Sequence, residues 1–349
     1  MTQKVLYCNN VDATLNKIIE GGNYNAVMVL VDNNTRKLVL PQLPCLNKAH
    51  IIEIAPGDNN KNLDSLAHVW QLMHNAGATR KSLLVNVGGG SITDLGGLAA
   101  ATFKRGIAFI NIPTTLLAAV DAAVGGKTGI NFNGLKNEIG VFAPATTVIV
   151  STCFFHTLPT EELKSGFAEM IKHTMLSSQK QFFELLDFDF RNIDDEKLLE
   201  MLRSSVKIKE NIVNQDPTEQ GLRKALNLGH TVGHALESFA MEQGKPVPHG
   251  YAVAWGLVAE SVISHMTLGF PSDNLYTLAR FVHDIYGAPA ITCDHYDRLI
   301  SIMQHDKKSR NGEINCTLLK NCGDFTIDNT IAQDTMKTAL DILRDLMGV

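Results

Sequence analysis

The sequence predicts two domains, an N-terminal α/β domain with a mainly parallel sheet and a C-terminal domain built from α-helices. In the first half of the 349 residues, short apolar runs alternate with segments of helical periodicity, which is typical of βαβ units. From about Thr160 onward, helical periodicity recurs through most of the remaining chain. We therefore expect an α/β domain over residues 1–158 and a helical domain over residues 159–349.

Five apolar runs of the first half are the predicted strands of a Rossmann-like sheet. Each run is followed by glycine, proline, aspartate or serine, residue types that favour turns. The runs are Ala26–Val31, Ile51–Ala55, Ser82–Val87, Ile107–Ile112 and Thr147–Val150. Parallel sheets bind ligands at the carboxyl ends of their strands, so the turns that follow these runs are candidate binding sites.

The second half is predicted to be a series of helices. Thr160 follows Pro159 and is expected to cap the first of them. Helical spacing then recurs in several segments, and a short strand-like pair interrupts them near Asn315–Leu319 and Phe325–Ile327. The predicted helices are Leu198–Val213, Leu222–Ala240, Ala252–Met266 and Leu275–Tyr286.

Composition excludes several classes of function. The net charge of −5 argues against a nucleic-acid partner, and no apolar run approaches the ~20 residues of a membrane span. The N-terminus lacks the charged and apolar regions of a signal peptide. The six cysteines are scattered without a Cys-x-x-Cys pair, which is typical of reduced thiols and not of a disulfide frame. We therefore expect a cytoplasmic protein.

A glycine turn, Gly88–Gly97, follows a predicted strand and opens a helix. Glycines at such a turn let backbone N–H groups approach a pyrophosphate, although a tight βα turn without a ligand has the same pattern. Two neighbouring segments, Pro113-Thr114-Thr115 and Gly125-Gly126-Lys127-Thr128, add donors from neighbouring strand ends and favour the dinucleotide site. Asp32 follows another strand, where a carboxylate accepts from ribose hydroxyls or serves as a turn residue.

Three patches suit one metal ion, because they supply a carboxylate and imidazoles but no thiolate. They contain Glu169, the pair His230 and His234, and His249 between a proline and a glycine. This set favours zinc at an open, catalytic site. Spacing alone offers both His230 and His234 as ligands, and one ligand beside a hydrogen-bonded neighbour is the alternative. For Glu169, the alternative is a simple ion pair with Lys172.

Within the predicted helix Leu222–Ala240, Gly229 and Gly233 lie one turn apart. Glycine inside a helix costs about 1 kcal/mol relative to alanine, so the two glycines predict a close backbone approach on their face. Cations also flank the candidate motifs. Each cation alone is compatible with a solvated surface charge, but together they favour a site for a polyanion such as a phosphorylated acid. The cations are Lys127, Lys136, Lys172, Lys209, Arg223 and Lys307.

Taken together, these motifs resemble the 3-dehydroquinate synthase family. They occur in the family's order from about residue 26 to residue 325 and are specific as a set. The motifs are Gly-Gly-Gly-Ser-Ile-Thr-Asp94, Phe-Lys-Arg105-Gly, Pro-Thr-Thr-Leu-Leu-Ala-Ala-Val-Asp121, Gly-Gly-Lys127-Thr-Gly, Lys136-Asn137, Ala-Glu169-Met-Ile-Lys172, Glu219-Gln-Gly-Leu-Arg223, Asn227-Leu-Gly-His230-Thr-Val-Gly-His234-Ala, Pro-His249-Gly and Asp306-Lys307-Lys308. One departure is visible, since Tyr251 stands where the family usually has glutamate, which removes a carboxylate next to the ligand set.

The resemblance implies an NAD-binding α/β domain and a helical metal-binding domain, with zinc or cobalt as the metal. It implies conversion of 3-deoxy-arabino-heptulosonate 7-phosphate to 3-dehydroquinate and phosphate, in the shikimate pathway. The steps would be transient oxidation by NAD, phosphate elimination, re-reduction and intramolecular aldol closure. It also implies a homodimer in which Arg105 acts across the interface.

Site residues carried over from the resemblance fall into four groups. The implied metal ligands are Glu169, His230 and His249. The implied catalytic residues are Asp121, Lys127, Lys172, Glu219 and His234, the last as a neighbour of the metal that handles protons. The implied substrate-binding residues are Arg105, Lys136, Asn137, Lys209, Arg223, Asn227 and Lys307. The implied cofactor-binding residues are Asp32, Asp58, Lys61, Gly88, Gly89, Gly90, Asp94, Thr114 and Thr115.

Three alternatives stay open at this point. The first is another sugar-phosphate cyclase whose substrate lacks a carboxylate, against which Lys209 and Arg223 argue as partners for that carboxylate. The second is a metal-dependent polyol dehydrogenase, which would accumulate NADH. The third, a non-catalytic regulator, is disfavoured because the whole set of polar site residues is present.

Overall fold

A computed structural model describes residues 3–305 and 313–349 and divides the chain into two compact units. The first unit contains the residues up to Pro159 together with Ile193–Val206, and the second contains Thr160–Asn192 and Lys207–Val349. Among the described residues, no helix is long and apolar enough to cross a membrane.

The first unit is built on a six-stranded sheet in the order β1-β8-β5-β4-β2-β3, and every pairing in it is parallel. All five predicted strands are present to within one residue, because runs of buried aliphatic residues form the sheet interior. Its strands are β1 Lys4–Tyr7, β2 Val27–Asp32, β3 His50–Ile54, β4 Leu83–Gly88, β5 Ala108–Pro113 and β8 Thr147–Val150. Its helices are α1 Val11–Gly21, α2 Asn33–Leu38, α3 Leu63–Asn75 and α4 Gly90–Thr102.

The first unit also contains an antiparallel hairpin that the sequence did not predict, β6 Lys127–Phe132 and β7 Leu135–Phe142. Strand β7 is exposed along its length and carries charged residues and a glycine, residue types that are depleted in strands. An added Cβ on Gly140 would overlap the carbonyl oxygen of Thr128, so the hairpin requires glycine there. Because Lys127 begins β6, the turn Gly125–Gly126 precedes a strand, and the prediction that it follows a strand end was wrong.

The second unit is mostly helical, as predicted, and contains one antiparallel strand pair near the predicted positions. Thr160 is the first residue of its first helix and not the residue before it, so the predicted cap is displaced by one position. The helices are α5 Thr160–Met175, α6 Gln179–Leu186, α7 Asp195–Gln215, α8 His230–Glu242, α9 His249–Leu268, α10 Ser272–Tyr286, α11 Tyr296–His305 and α12 Gln333–Leu346, and the strands are β9 Ile314–Asn321 and β10 Asp324–Ile331. Helix α7 begins in the first unit and continues into the second at Lys207.

The predicted helix Leu222–Ala240 was wrong in its first part. Leu222–Asn227 is a 3₁₀ turn, and α8 begins only at His230. Between them, Gly229 has a φ of +77°, a left-handed conformation that glycine adopts without strain. The predicted close approach is present all the same, because an added Cβ on Gly233 would lie 2.9 Å from the carbonyl oxygen of Ala252.

Helices α8 and α9 therefore touch backbone to backbone at Gly256, where an added Cβ would overlap the carbonyl oxygen of Gly229. We predict that Gly256→Ala lowers the free energy of unfolding by about 1–3 kcal/mol, since this contact cannot relax without moving α8. Gly21→Ala is the matched control, because a Cβ on Gly21 meets nothing within 4 Å. Thermal denaturation of both variants checks this, and equal stability of the Gly256 and Gly21 variants would contradict it.

Candidate active site

Glu169 lies on the buried face of α5 and is 0% exposed. Its Oε2 is 2.5 Å from the ammonium of Lys172, while neither carboxylate oxygen has a hydrogen bond of good geometry. Burial raises the pKa of Glu169, but Lys172 and His230 outweigh it and hold that pKa well below its usual range. Glu169 is thus a buried carboxylate in its charged form with room for a further cationic partner.

Two imidazoles face the same oxygen of this carboxylate. His230 Nε2 is 3.3 Å from Glu169 Oε1, and His249 Nε2 is 3.5 Å from it. The Nδ1 of His230 is 3.0 Å from the carbonyl oxygen of Leu228, and the Nδ1 of His249 is 3.0 Å from Glu237 Oε2. Both partners accept, so in the neutral form of each imidazole Nδ1 carries the proton and Nε2 faces Glu169 with its lone pair.

This convergence of two lone pairs on a carboxylate oxygen favours a cation at the centre. Ligand atoms bound at about 2.0–2.1 Å around a tetrahedral zinc ion are about 3.3–3.4 Å apart. The two distances from Glu169 Oε1, 3.3 and 3.5 Å, match that separation. A metal-ligating histidine usually donates its other N–H to a carboxylate or carbonyl, as His230 and His249 do here. The residues present therefore fit a divalent metal.

The protonation of His249 supports the same view. Burial lowers its pKa, yet the carboxylates of Glu169 and Glu237 outweigh burial and raise the pKa of His249 to about 9. The position thus stabilises positive charge, whether a proton or a metal ion supplies it.

His234 lies beside this set, with ring centroids 5.3 Å from His230 and 5.8 Å from His249. The ligand nitrogens of the three histidines lie within 4.8 Å of one another. The spacing hypothesis that makes His234 a ligand therefore remains geometrically open. Glu169 favours His230 and His249 as its fellow ligands, because its distances to these two imidazoles are those expected between ligand atoms around a metal.

The carboxylate next to His249 belongs to Glu237, which is not among the residues predicted from the sequence. Glu237 is seven residues after His230 on α8, two helical turns along the same face, so periodicity offered a signal. Although Tyr251 stands where the family usually has glutamate, His249 therefore still has a carboxylate partner. Tyr251 itself packs edge-on against Tyr286, with ring centroids 5.1 Å apart.

Two predicted substrate-binding residues and one predicted catalytic residue lie on the segment that follows α7. Arg223, 1% exposed, donates from Nη1 to the carbonyl oxygen of Pro217 at 2.7 Å, and Asn227 donates to Glu219 Oε1 at 3.4 Å. Glu219 has a φ of +61°, an uncommon conformation for a residue with a side chain. Strain of this kind clusters at binding and catalytic sites.

Asp216, also missed, holds this segment in shape by accepting backbone N–H groups from Gln220, Gly221 and Arg223 at 2.7–3.0 Å. These bonds, above all the one from Gly221, hold the pKa of Asp216 below its usual range. Lys209 is a buried residue of α7 in the same unit. Lys307 lies outside the described residues.

In the first unit, β4 ends at Gly88 and α4 begins at Gly90, as the glycine turn predicts. No side chain caps the start of α4, so its N-terminus suits an anion such as a pyrophosphate. Thr114 donates its N–H to the carbonyl oxygen of Gly88 at 3.0 Å, and an added Cβ on Gly88 would lie 2.5 Å from the side chain of Ile92. The turn is therefore confined to small residues and fits the predicted cofactor.

Lys61 connects predicted cofactor residues with a predicted substrate residue. Its ammonium is 3.0 Å from Asp94, 3.4 Å from Asp58 and 2.6 Å from Asn137 Oδ1. Burial lowers the pKa of Lys61, but Asp94 and Asp58 outweigh it and raise that pKa. Lys136 is 3.7 Å from Asp58 in the same network.

The remaining predicted residues of the first unit occupy turns and element starts. Asp32 ends β2 and caps α2 by accepting from the N–H of Thr35 at 2.8 Å, so the turn role is present. Asp121 lies in a single π-turn, Ala118–Ala122, a conformation often found at functional sites. Arg105 is exposed and has a φ of +68° in the turn after α4.

Together, a parallel-sheet unit with a glycine turn and a helical unit with a carboxylate–imidazole cluster define an enzyme class that combines a dinucleotide site with a metal site. Two sequence-family profiles match, 3-dehydroquinate synthase N-terminal over residues 51–165 and 3-dehydroquinate synthase C-terminal over residues 166–309. The chain therefore belongs to the 3-dehydroquinate synthase family.

Individual relatives agree with this assignment. The chain is 46% identical to a 3-dehydroquinate synthase of Parabacteroides distasonis, covering 99% of each chain. It is 37% identical to a 3-dehydroquinate synthase of Pyrococcus abyssi over 91% of this chain and 93% of that one.

Solved structures share the fold. A 2-deoxy-scyllo-inosose synthase, determined with carbaglucose-6-phosphate, NAD⁺ and Co²⁺, has a TM-score of 0.85 at 24% identity, covering 98% of this chain and 96% of that chain. The 2-epi-5-epi-valiolone synthase of Streptomyces hygroscopicus, determined with NAD⁺ and Zn²⁺, has a TM-score of 0.82 at 23% identity, covering 99% and 97%. An iron-containing alcohol dehydrogenase is more distant, with a TM-score of 0.66 at 15% identity, covering 100% and 98%.

We predict that changing Glu169, His230 or His249 to alanine lowers the zinc content of the purified protein, because each supplies one ligand atom. His234→Ala is the matched control and should retain its zinc. Elemental analysis after dialysis against zinc measures both. Full zinc content in the His230 variant would exclude the ligand set, and loss of zinc from the His234 variant would place His234 in it.

The raised pKa of His249 predicts a pH dependence of the metal-free protein. Because its folded pKa of about 9 exceeds its ordinary value of 6.5, the stabilisation is complete below about pH 6.5 and is lost as pH rises through 9. We expect a loss of about 3 kcal/mol in the free energy of unfolding across that window. Urea unfolding with chelator present measures it, with His249→Ala as the control. The same decline in both proteins would contradict the assignment to His249.

Proposed function

We infer that this chain is an NAD- and metal-dependent lyase that converts 3-deoxy-arabino-heptulosonate 7-phosphate to 3-dehydroquinate and phosphate. This reaction belongs to the shikimate pathway of aromatic amino-acid biosynthesis. The observation that carries the proposal is the convergence of Glu169, His230 and His249 in a chain of this family. We also propose residues 1–158 as the NAD domain and residues 159–349 as the metal and substrate domain.

The degree of similarity favours this activity over its alternatives. The synthase of Parabacteroides distasonis is 46% identical, whereas the inosose and valiolone cyclases are 24% and 23% identical. The iron-containing alcohol dehydrogenase is only 15% identical, so its similarity gives little support to a dehydrogenase that accumulates NADH. The buried cations Lys209 and Arg223 suit a substrate with a carboxylate.

The cofactors proposed are NAD and zinc or cobalt. Related solved cyclases contain NAD⁺ with Co²⁺ or Zn²⁺. When bound, NAD supplies a transient hydride acceptor and the metal a Lewis acid for the oxidised carbinol. Glu169, His230 and His249 would hold the metal. The residues that would hold NAD are Asp32, Asp58, Lys61, Gly88, Gly89, Gly90, Asp94, Thr114 and Thr115.

The residues proposed for substrate binding are rich in fixed charge. In the second unit, the buried guanidinium of Arg223 would bind the substrate carboxylate together with Lys209. Glu219 and Asn227, which contact each other, would orient substrate hydroxyls. Lys172 offsets the charge of Glu169 and keeps a cationic donor next to the metal ligands.

In the first unit, hairpin residues would bind the substrate's polar groups. Lys127, Lys136 and Asn137 lie on this hairpin, and the Lys61 network holds Asn137 in place. Asp121 and His234 would handle protons, and Lys307 would bind substrate. Removing the C–H proton next to the new ketone would allow phosphate to leave, and re-reduction of that ketone would precede ring closure.

We expect that NAD is needed only in catalytic amounts, because it is reduced and reoxidised within one turnover. With a large excess of heptulosonate phosphate over NAD, phosphate release should continue far beyond one equivalent of NAD, without a lasting rise in absorbance at the NADH wavelength. Stoichiometric NADH accumulation would favour a polyol dehydrogenase instead. The His230→Ala chain is the negative control for both signals.

We further propose a cytoplasmic homodimer in which Arg105 reaches the substrate phosphate in the neighbouring subunit. Arg105 and Lys104 both have positive φ, and strain in a turn with an exposed cation supports a binding role. The alternative is a charge at the C-terminus of α4, stabilising by about 0.3–1 kcal/mol.

Subunit mixing separates these possibilities. An Arg105→Ala chain and a His230→Ala chain should each be inactive, and the mixed dimer should regain about half of the activity per dimer, because one site then has an intact metal set and the partner's Arg105. Lys104→Ala, which changes the neighbouring cation, should remain active alone. Heterodimers without activity would contradict action across the interface, and a monomer in sedimentation would exclude it.

A further inference from the structure

A second buried carboxylate of the helical unit lies outside the proposed ligand set. Glu260, on α9, is 0% exposed. Its Oε2 accepts from the N–H of Gly229 at 2.7 Å, and its Oε1 accepts from the N–H groups of Thr231 and Val232 at 3.0 and 3.2 Å. These three donors belong to the turn and first residues of α8, where no side chain of α8 itself forms a cap.

The three donors lie on both sides of His230, the first residue of α8. The same turn supplies the carbonyl oxygen of Leu228, which accepts the Nδ1 proton of His230 and so aims Nε2 at Glu169. Fixing the turn therefore fixes both the backbone and the ring of His230. The carboxylate also offsets the partial positive charge at the start of α8.

Packing leaves this turn little freedom. Gly256 is one helical turn before Glu260 on α9, and an added Cβ there would overlap the carbonyl oxygen of Gly229. An added Cβ on Gly229 would lie 2.7 Å from the side chain of Leu257. The start of α8 is thus held against α9 by the close contact of Gly256 with Gly229 and by the hydrogen bonds to Glu260.

We propose that Glu260 is a positioning residue for the metal ligand His230, and that it orders the His230 turn before metal binds. The proposal rests on the inferred role of His230 as a ligand. Glutamine at this position has one acceptor oxygen and one NH₂ group, so it would oppose a donor to at least one of the three N–H groups. Losing such support around a ligand typically costs 10–100-fold in metal affinity.

The test measures the zinc dissociation constant of the full chain by competition with a chromophoric chelator. Glu260→Gln should raise that constant about 10–100-fold. Ser264→Ala is the matched control, because Ser264 lies one turn further along α9, is equally buried, and bonds Leu319 and the carbonyl oxygen of Glu260, away from the His230 turn. Ser264→Ala should change the zinc dissociation constant by less than about 3-fold, even if it lowers the melting temperature as much as Glu260→Gln does.

Two further measurements make the outcome decisive. Glu260→Asp keeps the charge but is shorter, and its zinc affinity should fall between wild type and the glutamine variant. In the wild-type protein without metal, hydrogen exchange of the backbone amides of Gly229, Thr231 and Val232 should already be slow, and this measurement needs no variant to fold. Rapid exchange that slows only on zinc binding would overturn the proposal, as would a folded Glu260→Gln protein with wild-type affinity. A His230→Ala protein with unchanged zinc affinity would instead remove the metal-site assignment itself.

Discussion

The helical unit depends on one electrostatic constraint. Two imidazole nitrogens face the same oxygen of a buried carboxylate. Glu169 Oε1 lies 3.3 Å from His230 and 3.5 Å from His249, and without a cation this arrangement would be repulsive. A proton relieves the repulsion, which is why the pKa of His249 rises to about 9, and a divalent metal relieves it more completely. The surrounding structure therefore has to hold three groups at a separation that would be repulsive if both imidazoles were neutral and no metal were bound.

Backbone contacts at the starts of α8 and α9 hold the three groups together. Both proposed imidazole ligands are the first residues of their helices, His230 of α8 and His249 of α9. An added Cβ on Gly250 would overlap the backbone of Ser165 on α5, the helix that carries Glu169, so the start of α9 is fixed against α5. Glu260 and Gly256 fix the start of α8 against α9. The placement of the two imidazole ligands thus depends on Gly250, Gly256 and Glu260. Substitutions at these positions should therefore alter metal binding.

Local patterns predicted much of this structure and long-range contacts limited the rest. Buried aliphatic runs located five of the six strands of the parallel sheet, because a parallel sheet covered on both faces leaves an apolar signature in the sequence, whereas the short strand β1 was not predicted. The helix Leu222–Ala240 was misjudged, since periodicity does not reveal the left-handed backbone of Gly229. The hairpin was missed because its outer strand is exposed and polar in part. Glu260 acts through contacts about 30 residues away in sequence, which no local pattern encodes. Glu237 lies at helical spacing from His230, but its contact is with His249, 12 residues away on another helix. The family resemblance, and not the spacing of the residues, indicated Glu169 in preference to His234 as a metal ligand.

The most direct test of this account is zinc K-edge X-ray absorption of the zinc-loaded protein, which reports the number and type of atoms bound to the metal. The account predicts two imidazoles and oxygen ligands at about 2.0–2.1 Å, one of the oxygens lost in Glu169→Ala, and no sulfur. The spectrum of His234→Ala should match that of the wild type. An oxygen shell that is unchanged in Glu169→Ala, with three imidazoles in the wild type that fall to two when His234 is replaced, would contradict the central role of Glu169.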